Sequence, residues 1–511
     1  MTTEEALIIE EALTKQGISE EALTGEPIAP LSGPGGEALP RSTPEAQGMP
    51  SSAVLAFVDD AEHRALGLHS LMVVRRGRII AEGWWDPYSP TAPHMLYSLS
   101  KSFAATAAGL AAAEGFLSLD DAVLSFFPNE APAGPGPHLA AMRLRHLLSM
   151  STGHDQDTTG RLRAGGDWVR AFLALPVEHA PGTHFVYNSG ATYLVSAVVQ
   201  KATGQTLLEF LGPRLFRPLG IAAPTWESSP QGINVGGWGL SITTEDIARF
   251  GLLYLQDGEW NGTQLLPAGW VAEATSAQVS NGDNPDSDWA QGYGYQFWRC
   301  RHGAYRGDGA FGQFCVVLPE QEAVVAITAG SGDMGGILSL VWEHLLPALG
   351  PGVLPADPAA QDALRRRLAA LSLPAPEGDV ESPFAASVSG RTYAFGANAE
   401  DEYRIETARW DFSQGGATVT VRDAGGVHRI ETGASAWRHG TTTFGAGTER
   451  PVAARGAWAA EYTYVLTAYF CETPHAVTLT AHFTDGGVQL DIRQNVSFGP
   501  TAGAPLTGKT L

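Results

Sequence analysis

Strand-forming runs stand at both ends of the region before residue 350, and helix and loop separate them. The run LHSLMVVRRGRIIAEGWW holds two β-rich segments split by Arg75-Arg76-Gly77, which predicts a hairpin. Further strands are predicted after residue 290 by the runs GYGYQFWRC, GQFCVVLPE and AVVAITAG. Tight turns join these strands, so the region predicts an α+β fold. In it an antiparallel sheet is flanked by helices and interrupted by a helical insert over roughly residues 115–290.

Helical periodicity surrounds this sheet and recurs inside the insert. Helices are predicted from Pro50, from Ser98 to Glu114, over residues 192–203, over residues 245–256 and in the terminal run ILSLVWEHLLPAL. The helix at 245–256 follows a start from Thr243 to Asp246 that is typical of a capping box. We interpret Asp246 as part of that helix start.

The chain divides at a proline-rich stretch. Residues 1–40 are acidic and then Pro/Gly-rich, which predicts a leader, and residues 41–350 form the main domain. Six prolines in residues 351–385 indicate a linker around one short Arg-rich helix. Short alternating runs across residues 386–511 predict an antiparallel β-barrel or sandwich.

Charge and cysteine content exclude several classes of function. The 511 residues include 54 acidic and 32 basic ones, for a net charge of -22, and this excess repels nucleic acids. Glutamates interrupt the N-terminal apolar run, and no apolar segment reaches the ~18 residues of a membrane span. The three cysteines lack C-x-x-C spacing and fit a reducing compartment. We therefore expect a soluble, cytoplasmic protein.

The tetrapeptide from Ser98 to Lys101 is the strongest candidate for chemistry. An S-x-x-K sequence at the mouth of a helix places both side chains on one face. The free N–H groups there favour negative charge on an attacking oxygen. A lysine whose pKa is lowered by burial can take the serine proton. The alternative interpretation of the motif is a capping serine beside a solvated lysine.

Lysine usage favours the catalytic interpretation. The chain has four lysines, and its other 28 basic residues (32 minus 4) are arginines, which cannot act as bases. Lys101 is the one lysine with a serine three residues earlier. G-x-S-x-G, H-E-x-x-H and close His/Cys clusters of zinc type are absent, and the G-x-G-x-x-G that begins at Gly307 opens a strand. No metal or cofactor is implied.

Several longer stretches resemble the penicillin-recognising serine hydrolases of the class C β-lactamase type. This superfamily includes DD-peptidases, D-aminopeptidases, family VIII esterases and 6-aminohexanoate-dimer hydrolases. The matching stretches cover roughly residues 40–350 in order. They are MLYSLSKSFAATAAGLAAAEGFLSLDDAVLSFFP, LRHLLSMSTGH, APGTHFVYNSGATYLVSAVVQKATGQTLLEFL, LFRPLGI, GGWGLSITTEDIARFGLLYL and YRGDGAFGQFCVVLPE.

The resemblance implies roles for individual residues. It makes Ser98 the acylated nucleophile, Lys101 its proton partner and Tyr187 the tyrosine that relays the proton to the leaving group. The oxyanion hole would consist of the backbone amides of Ser98 and Ala310.

The substrate-binding motifs depart from the family pattern. The asparagine that follows the tyrosine by two positions is replaced by Ser189, with Asn188 one position early. The Lys- or His-x-Gly motif is occupied by residues 307–309, GDG, which puts Asp308 and Gly309 at the substrate. Arg306 could supply the missing cation from one position earlier. Trp238 is predicted to line the pocket, with core packing as the alternative.

Together these features predict a hydrolase that acts through an acyl-enzyme on a small ester or amide, with weak or no β-lactamase activity. The alternative is a catalytically idle binding or sensor protein that keeps the fold. Residues 386–511 resemble the lipocalin-like barrels of D-aminopeptidases, which implies that they limit substrate size; a stability or dimerisation module is the other possibility. The expected partner is a small ester or amide substrate, with no nucleic acid and no membrane, and the sequence leaves the oligomeric state open.

Overall fold

A computed structural model describes residues 38–396, 403–445 and 447–511. Most of the predicted acidic leader, residues 1–37, lies outside the described residues. The chain forms two compact units. Among the described residues, the first unit holds 38–84 and 90–370, and the second holds 85–89 and those from 371 to 511.

The strands of the first unit form one large and two small sheets. They are β1 (Leu68–Arg75), β2 (Arg78–Trp84), β3 (His94–Met95), β4 (Thr225–Trp226), β5 (Leu240–Ile242), β6 (Glu259–Trp260), β7 (Thr263–Gln264), β8 (Trp298–Arg299), β9 (Tyr305–Gly309), β10 (Gln313–Leu318) and β11 (Ala323–Ala329). The large sheet is antiparallel and has the order β2-β1-β11-β10-β9-β8, which confirms the predicted α+β layout.

Helices surround this sheet and fill the insert. They are α1 (Ser51–His63), α2 (Ser100–Ala113), α3 (Val123–Phe126), α4 (Pro137–Ala141), α5 (Leu144–Leu148), α6 (Thr159–Ala164), α7 (Trp168–Leu173), α8 (Ser189–Thr203), α9 (Leu207–Leu211), α10 (Arg217–Leu219), α11 (Thr244–Leu255), α12 (Trp270–Thr275), α13 (Met334–Leu340) and α14 (Pro358–Ala369). α2 packs against α8, and α11 packs on β1, β10 and β11.

Local sequence explains the main boundaries. The predicted hairpin turns at Arg76 and Gly77, whose φ values of 47° and 72° suit the two-residue turn that matches strand twist. The capping box of α11 is confirmed, because Asp246 N–H donates to Thr243 Oγ1 at 3.3 Å and Thr243 N–H donates to Asp246 Oδ2 at 3.1 Å. Every residue of β1, β10 and β11 is buried, as expected for a sheet covered on both faces.

One run differs from the sequence expectation. The run GYGYQFWRC yields only the two-residue strand β8, since turns and isolated bridges occupy the rest. The proline-rich stretch 351–385 contains α14, whose Arg367 forms ion pairs with Asp59 and Glu62 of α1. Among the described residues, none of the helices combines the length and apolarity needed to cross a membrane.

The second unit is a closed barrel of nine strands. They are β12 (Thr392–Phe395), β13 (Thr407–Ser413), β14 (Gly416–Asp423), β15 (Gly426–Gly433), β17 (Arg450–Ala460), β18 (Thr463–Tyr469), β19 (Ala476–Thr484), β20 (Gly487–Gln494) and β21 (Leu506–Thr510). A parallel bridge between Gly433 and Arg455 closes it, and β16 (Arg438–Thr442) pairs on β17. A short helix, α15 (Ala385–Val388), precedes β12. Aromatic side chains such as Trp410 and Phe483 fill the interior, which resolves the predicted barrel or sandwich as a barrel.

Candidate active site

Ser98 lies in a 3₁₀ turn, Tyr97–Leu99, directly before α2. Ser98 is half-buried, so solvent can reach it. Tyr97 has φ of 48°, a left-handed conformation that non-glycine residues rarely adopt. The Tyr97 ring packs edge-on against Phe311, itself at φ 68°, with 5.5 Å between the ring centroids. The turn that carries Ser98 is therefore strained and is held in place by its surroundings.

Lys101 is buried one helical turn after Ser98 and has three oxygen neighbours. Its Nζ lies 2.9 Å from Ser98 Oγ, 3.0 Å from Ser189 Oγ and 2.8 Å from the Gly237 carbonyl oxygen. Burial lowers the pKa of Lys101 to about 7, against the opposing effect of the nearby carboxylates. A substantial fraction of the amine is therefore neutral near pH 7 and able to accept the Ser98 proton.

Tyr187 completes a cluster of three predicted catalytic side chains. Its hydroxyl shares a hydrogen bond with Ser98, and the Lys101 Nζ lies 4.7 Å from the centroid of its ring. The Trp298 ring also stacks on the Tyr187 ring, with centroids 5.2 Å apart and ring planes 22° apart. Burial, reinforced by the charge of Asp308, raises the pKa of Tyr187 well above its usual value. Tyr187 thus stays protonated, which suits a proton donor better than a phenolate base.

The end of β9 passes very close to the Ser98 turn. A Cβ added to Gly309 would collide with the Leu96 carbonyl oxygen and lie 3.1 Å from the Leu99 nitrogen. Only glycine permits this approach. Because Ala310 follows directly, the sequence prediction that its amide serves the oxyanion hole is compatible with the position of the strand.

Arg306 and Asp308 lie on one face of β9 and pair with each other. Arg306 Nε donates to Asp308 Oδ2 at 3.0 Å, and both side chains are buried. The Arg306 guanidinium also donates to the Asp288 carbonyl oxygen at 2.8 Å and lies 4.5 Å from the Trp289 ring centroid. These contacts hold the Arg306 guanidinium inside the protein, where it neutralises Asp308. Arg306 therefore does not replace the carboxylate-binding cation that the family resemblance implies.

The structure separates the two residues that follow Tyr187. Asn188 is fully buried, and its Oδ1 accepts hydrogen bonds from Ala191 N–H at 3.2 Å and Thr158 Oγ1 at 2.8 Å. Asn188 caps α8 through this oxygen, while its contact with substrate stays a prediction. Ser189 does lie in the site, as a partner of Lys101.

Asp157 is a further site residue that the sequence reasoning missed. Its carboxylate accepts hydrogen bonds from Thr159 Oγ1 at 2.8 Å and from Ser189 N–H at 3.0 Å, at the first turn of α8. Its negative charge also acts on Lys101. Burial raises the pKa of Asp157, and these hydrogen bonds oppose the shift. The one sequence signal was an acidic side chain soon after the Ser-Thr-Gly turn, followed by two threonines.

Trp238 is half-buried next to Gly237. Its Nε1 donates to Glu227 Oε2 at 3.1 Å, and its ring lies 6.4 Å from that of Trp168. These contacts fix the side chain, while its contact with substrate stays a prediction.

An antiparallel sheet, a helical insert and a Ser–Lys pair at the mouth of a buried helix define a β-lactamase/transpeptidase-like protein. The chain belongs to the Beta-lactamase family, whose sequence profile matches residues 54–334, more than half of its length.

Individual relatives agree with this assignment. A 6-aminohexanoate-dimer hydrolase of Paenarthrobacter ureafaciens is 24% identical over 278 residues, 50% of this chain and 71% of the relative. Penicillin-binding protein 4 of Amycolatopsis lactamdurans is 25% identical over 292 residues, 49% of this chain and 76% of the relative. A solved structure from Bacillus anthracis, provisionally assigned as a 6-aminohexanoate-dimer hydrolase, matches with a TM-score of 0.53 and 19% identity over 66% of this chain and 93% of its own. The family and the two sequence relatives support a hydrolytic function of the serine type, and the solved structure agrees with the fold.

Proposed function

We propose that this protein hydrolyses small esters or amides through an acyl-enzyme formed on Ser98. The observation that carries the proposal is the contact between Ser98 Oγ and Lys101 Nζ, 2.9 Å apart, where burial lowers the pKa of the lysine to about 7. A base of this pKa is matched to work near neutral pH.

In the acylation step, neutral Lys101 takes the proton of Ser98 while Ser98 Oγ attacks the substrate carbonyl carbon. The resulting oxyanion is stabilised by the backbone N–H groups of Ser98 and Ala310. Collapse of the tetrahedral intermediate breaks the bond to the leaving group, which leaves with the proton of Tyr187. Lys101 then returns its proton to Tyr187 through the shared hydrogen-bond cluster.

In the deacylation step, water attacks the acyl carbon and the same groups act again. The water proton passes by way of Tyr187 to Lys101, and the Ser98 oxygen recovers its proton as the acid leaves. Ser189, 3.0 Å from Lys101 Nζ, keeps the amine directed at Ser98 during both steps.

The charge of the site favours substrates without a carboxylate beside the scissile bond. Asp308 is held as a buried ion pair by Arg306, so β9 presents no free cation to a substrate carboxylate. Asp157 adds negative charge on the side of α8. We therefore expect neutral acyl donors to react faster than acidic ones such as penicillins.

Labelling with a fluorophosphonate tests the proposal. Wild type should gain one adduct by intact mass, peptide mapping should locate it on Ser98, and Ser98→Ala should gain none. Ser100→Ala is a matched control, because Ser100 is buried on the same turn and its Oγ accepts from Leu240 N–H instead. An unlabelled wild-type protein would favour the idle binding or sensor protein and overturn the proposal.

A further inference from the structure

Three metal-ligating side chains outside the catalytic cluster meet at one point of the first unit. Asp155, His179 and His184 each offer one potential ligand atom, and these atoms lie within 4.8 Å of one another. His179 Nε2 is 2.6 Å from Asp155 Oδ1, and the rings of His179 and His184 have centroids 4.3 Å apart. We propose that this cluster binds a divalent transition-metal ion of the Zn²⁺ type.

The chemistry of the three donors selects the class of ion. Two imidazoles and one carboxylate form a ligand set that suits Zn²⁺, whereas Mg²⁺ and Ca²⁺ prefer oxygen alone. The side chains of His179 and Asp155 are 44% and 52% exposed, so water can complete the coordination. The site is therefore open and exchangeable.

The backbone already holds the two segments that supply the ligands. His179 N–H donates to the Gly153 carbonyl oxygen at 2.9 Å, and Gly182 N–H donates to the Ser151 carbonyl oxygen at 2.7 Å. Binding an ion thus requires side-chain adjustment and no ordering of a loop, which lowers its entropic cost.

A second group of potential metal ligands in the first unit is not expected to bind an ion. Asp60, Glu343 and His344 also lie within 4.8 Å of one another. There, however, Arg64 donates to Asp60 and to Glu343, both at 2.7 Å. The guanidinium neutralises these carboxylates, so this cluster serves as a built-in control.

The position of the proposed site connects it to the catalytic residues. His184 precedes Tyr187 by three residues, and Asp155 precedes Asp157 by two. An ion bound at the cluster would join the two segments that carry Tyr187 and Asp157. We expect it to stabilise the fold and to restrain Tyr187 without entering the reaction.

Calorimetric titration of the EDTA-treated full-length protein with ZnCl₂ tests the proposal. One equivalent should bind, and His179→Ala and His184→Ala should each weaken binding by about tenfold or more, since even losing a group that only supports a ligand costs that much. His344→Ala should bind like wild type. Absence of one-to-one binding in wild type, or binding by both cluster variants as tight as that of wild type, would overturn the site.

A measurement on the wild-type chain covers the case in which a variant fails to fold. Diethylpyrocarbonate should modify His179 and His184 without metal and spare them when Zn²⁺ is present. His63, exposed at the end of α1, should react equally in both states. Equal modification of His179 and His184 with and without Zn²⁺ would contradict the proposal.

Discussion

Arg306 precedes Asp308 by two residues on β9 and holds its buried carboxylate at 2.9–3.0 Å. In this family the corresponding motif carries a cation that meets the substrate. Here the strand instead carries an internal ion pair, and the charge of Asp308 helps to raise the pKa of Tyr187. Because the pair leaves β9 without a free cation, we expect the site to attract acidic substrates only weakly.

Breaking this ion pair should destabilise the first unit. Arg306→Met leaves Asp308 buried and unpaired, which costs about 3–5 kcal/mol of the free energy of unfolding. The double variant Arg306→Met/Asp308→Leu should recover most of that loss, because it removes both charges. Urea unfolding of the variants measures this, and a single variant as stable as wild type would show that the pair contributes nothing.

Replacing Lys101 should remove the general base while the positive charge stays. Lys101→Arg is expected to lower kcat by about 10²–10⁴-fold, since a guanidinium cannot accept the Ser98 proton. Lys201→Arg is the control, because Lys201 is exposed near the end of α8. Ester hydrolysis by the two variants decides the point, and comparable rates would refute the base assignment.

The activity should rise with pH through the pKa of Lys101. Below about pH 7 the amine is protonated and cannot accept a proton, so kcat/KM falls there and levels off above. The nearby carboxylate of Asp157 raises the pKa of Lys101. Asp157→Asn should therefore move the acidic limb to lower pH. If the acidic limb stays in place or moves to higher pH, Lys101 is not the group that sets the pH dependence of kcat/KM.

Tyr187→Phe should act on the leaving group. Because Tyr187 donates the proton that the leaving group takes, the variant should lose about 10²-fold or more in kcat/KM, which reports acylation, with an alkyl ester. A p-nitrophenyl leaving group needs no proton, so kcat/KM for that ester should fall much less. Values of kcat/KM for this ester pair test the role, and equal losses for both esters would assign Tyr187 to positioning.

Gly309→Ala should disturb the Ser98 turn while the fold survives. The new Cβ meets the Leu96 carbonyl oxygen, and a displacement of the reacting groups by about 1 Å costs about 10²-fold in rate. Gly134→Ala is the control, since Gly134 has open space around its Cβ position. Far-UV circular dichroism with ester kinetics tests the pair, and full activity of Gly309→Ala would contradict the close approach.

The sequence predicted those elements whose boundaries are set by hydrophobic periodicity, turn residues or helix caps. The Arg76-Gly77 hairpin, the capping box of α11 and the all-β second unit follow from local residues. The run GYGYQFWRC predicted a longer strand than the two residues of β8, because turn geometry overrides the strand-forming preference of its aromatic residues.

The site was predictable where a motif marks it and not where tertiary contacts decide it. Ser98, Lys101 and Tyr187 stand in motifs, and the structure brings them together. The Asn188 cap depends on Thr158, and the role of Asp157 depends on the first turn of α8. These contacts join residues about 30 positions apart, which spacing along the chain does not reveal.

Rapid quenching of the reaction with a p-nitrophenyl ester, followed by intact mass, tests the central claim most directly. The account predicts that wild type carries one acyl group while substrate is turning over, and that this group maps to Ser98. Ser98→Ala should carry none and release no burst of nitrophenol. Turnover without any acylated protein, or an acyl group on another residue, would contradict the account.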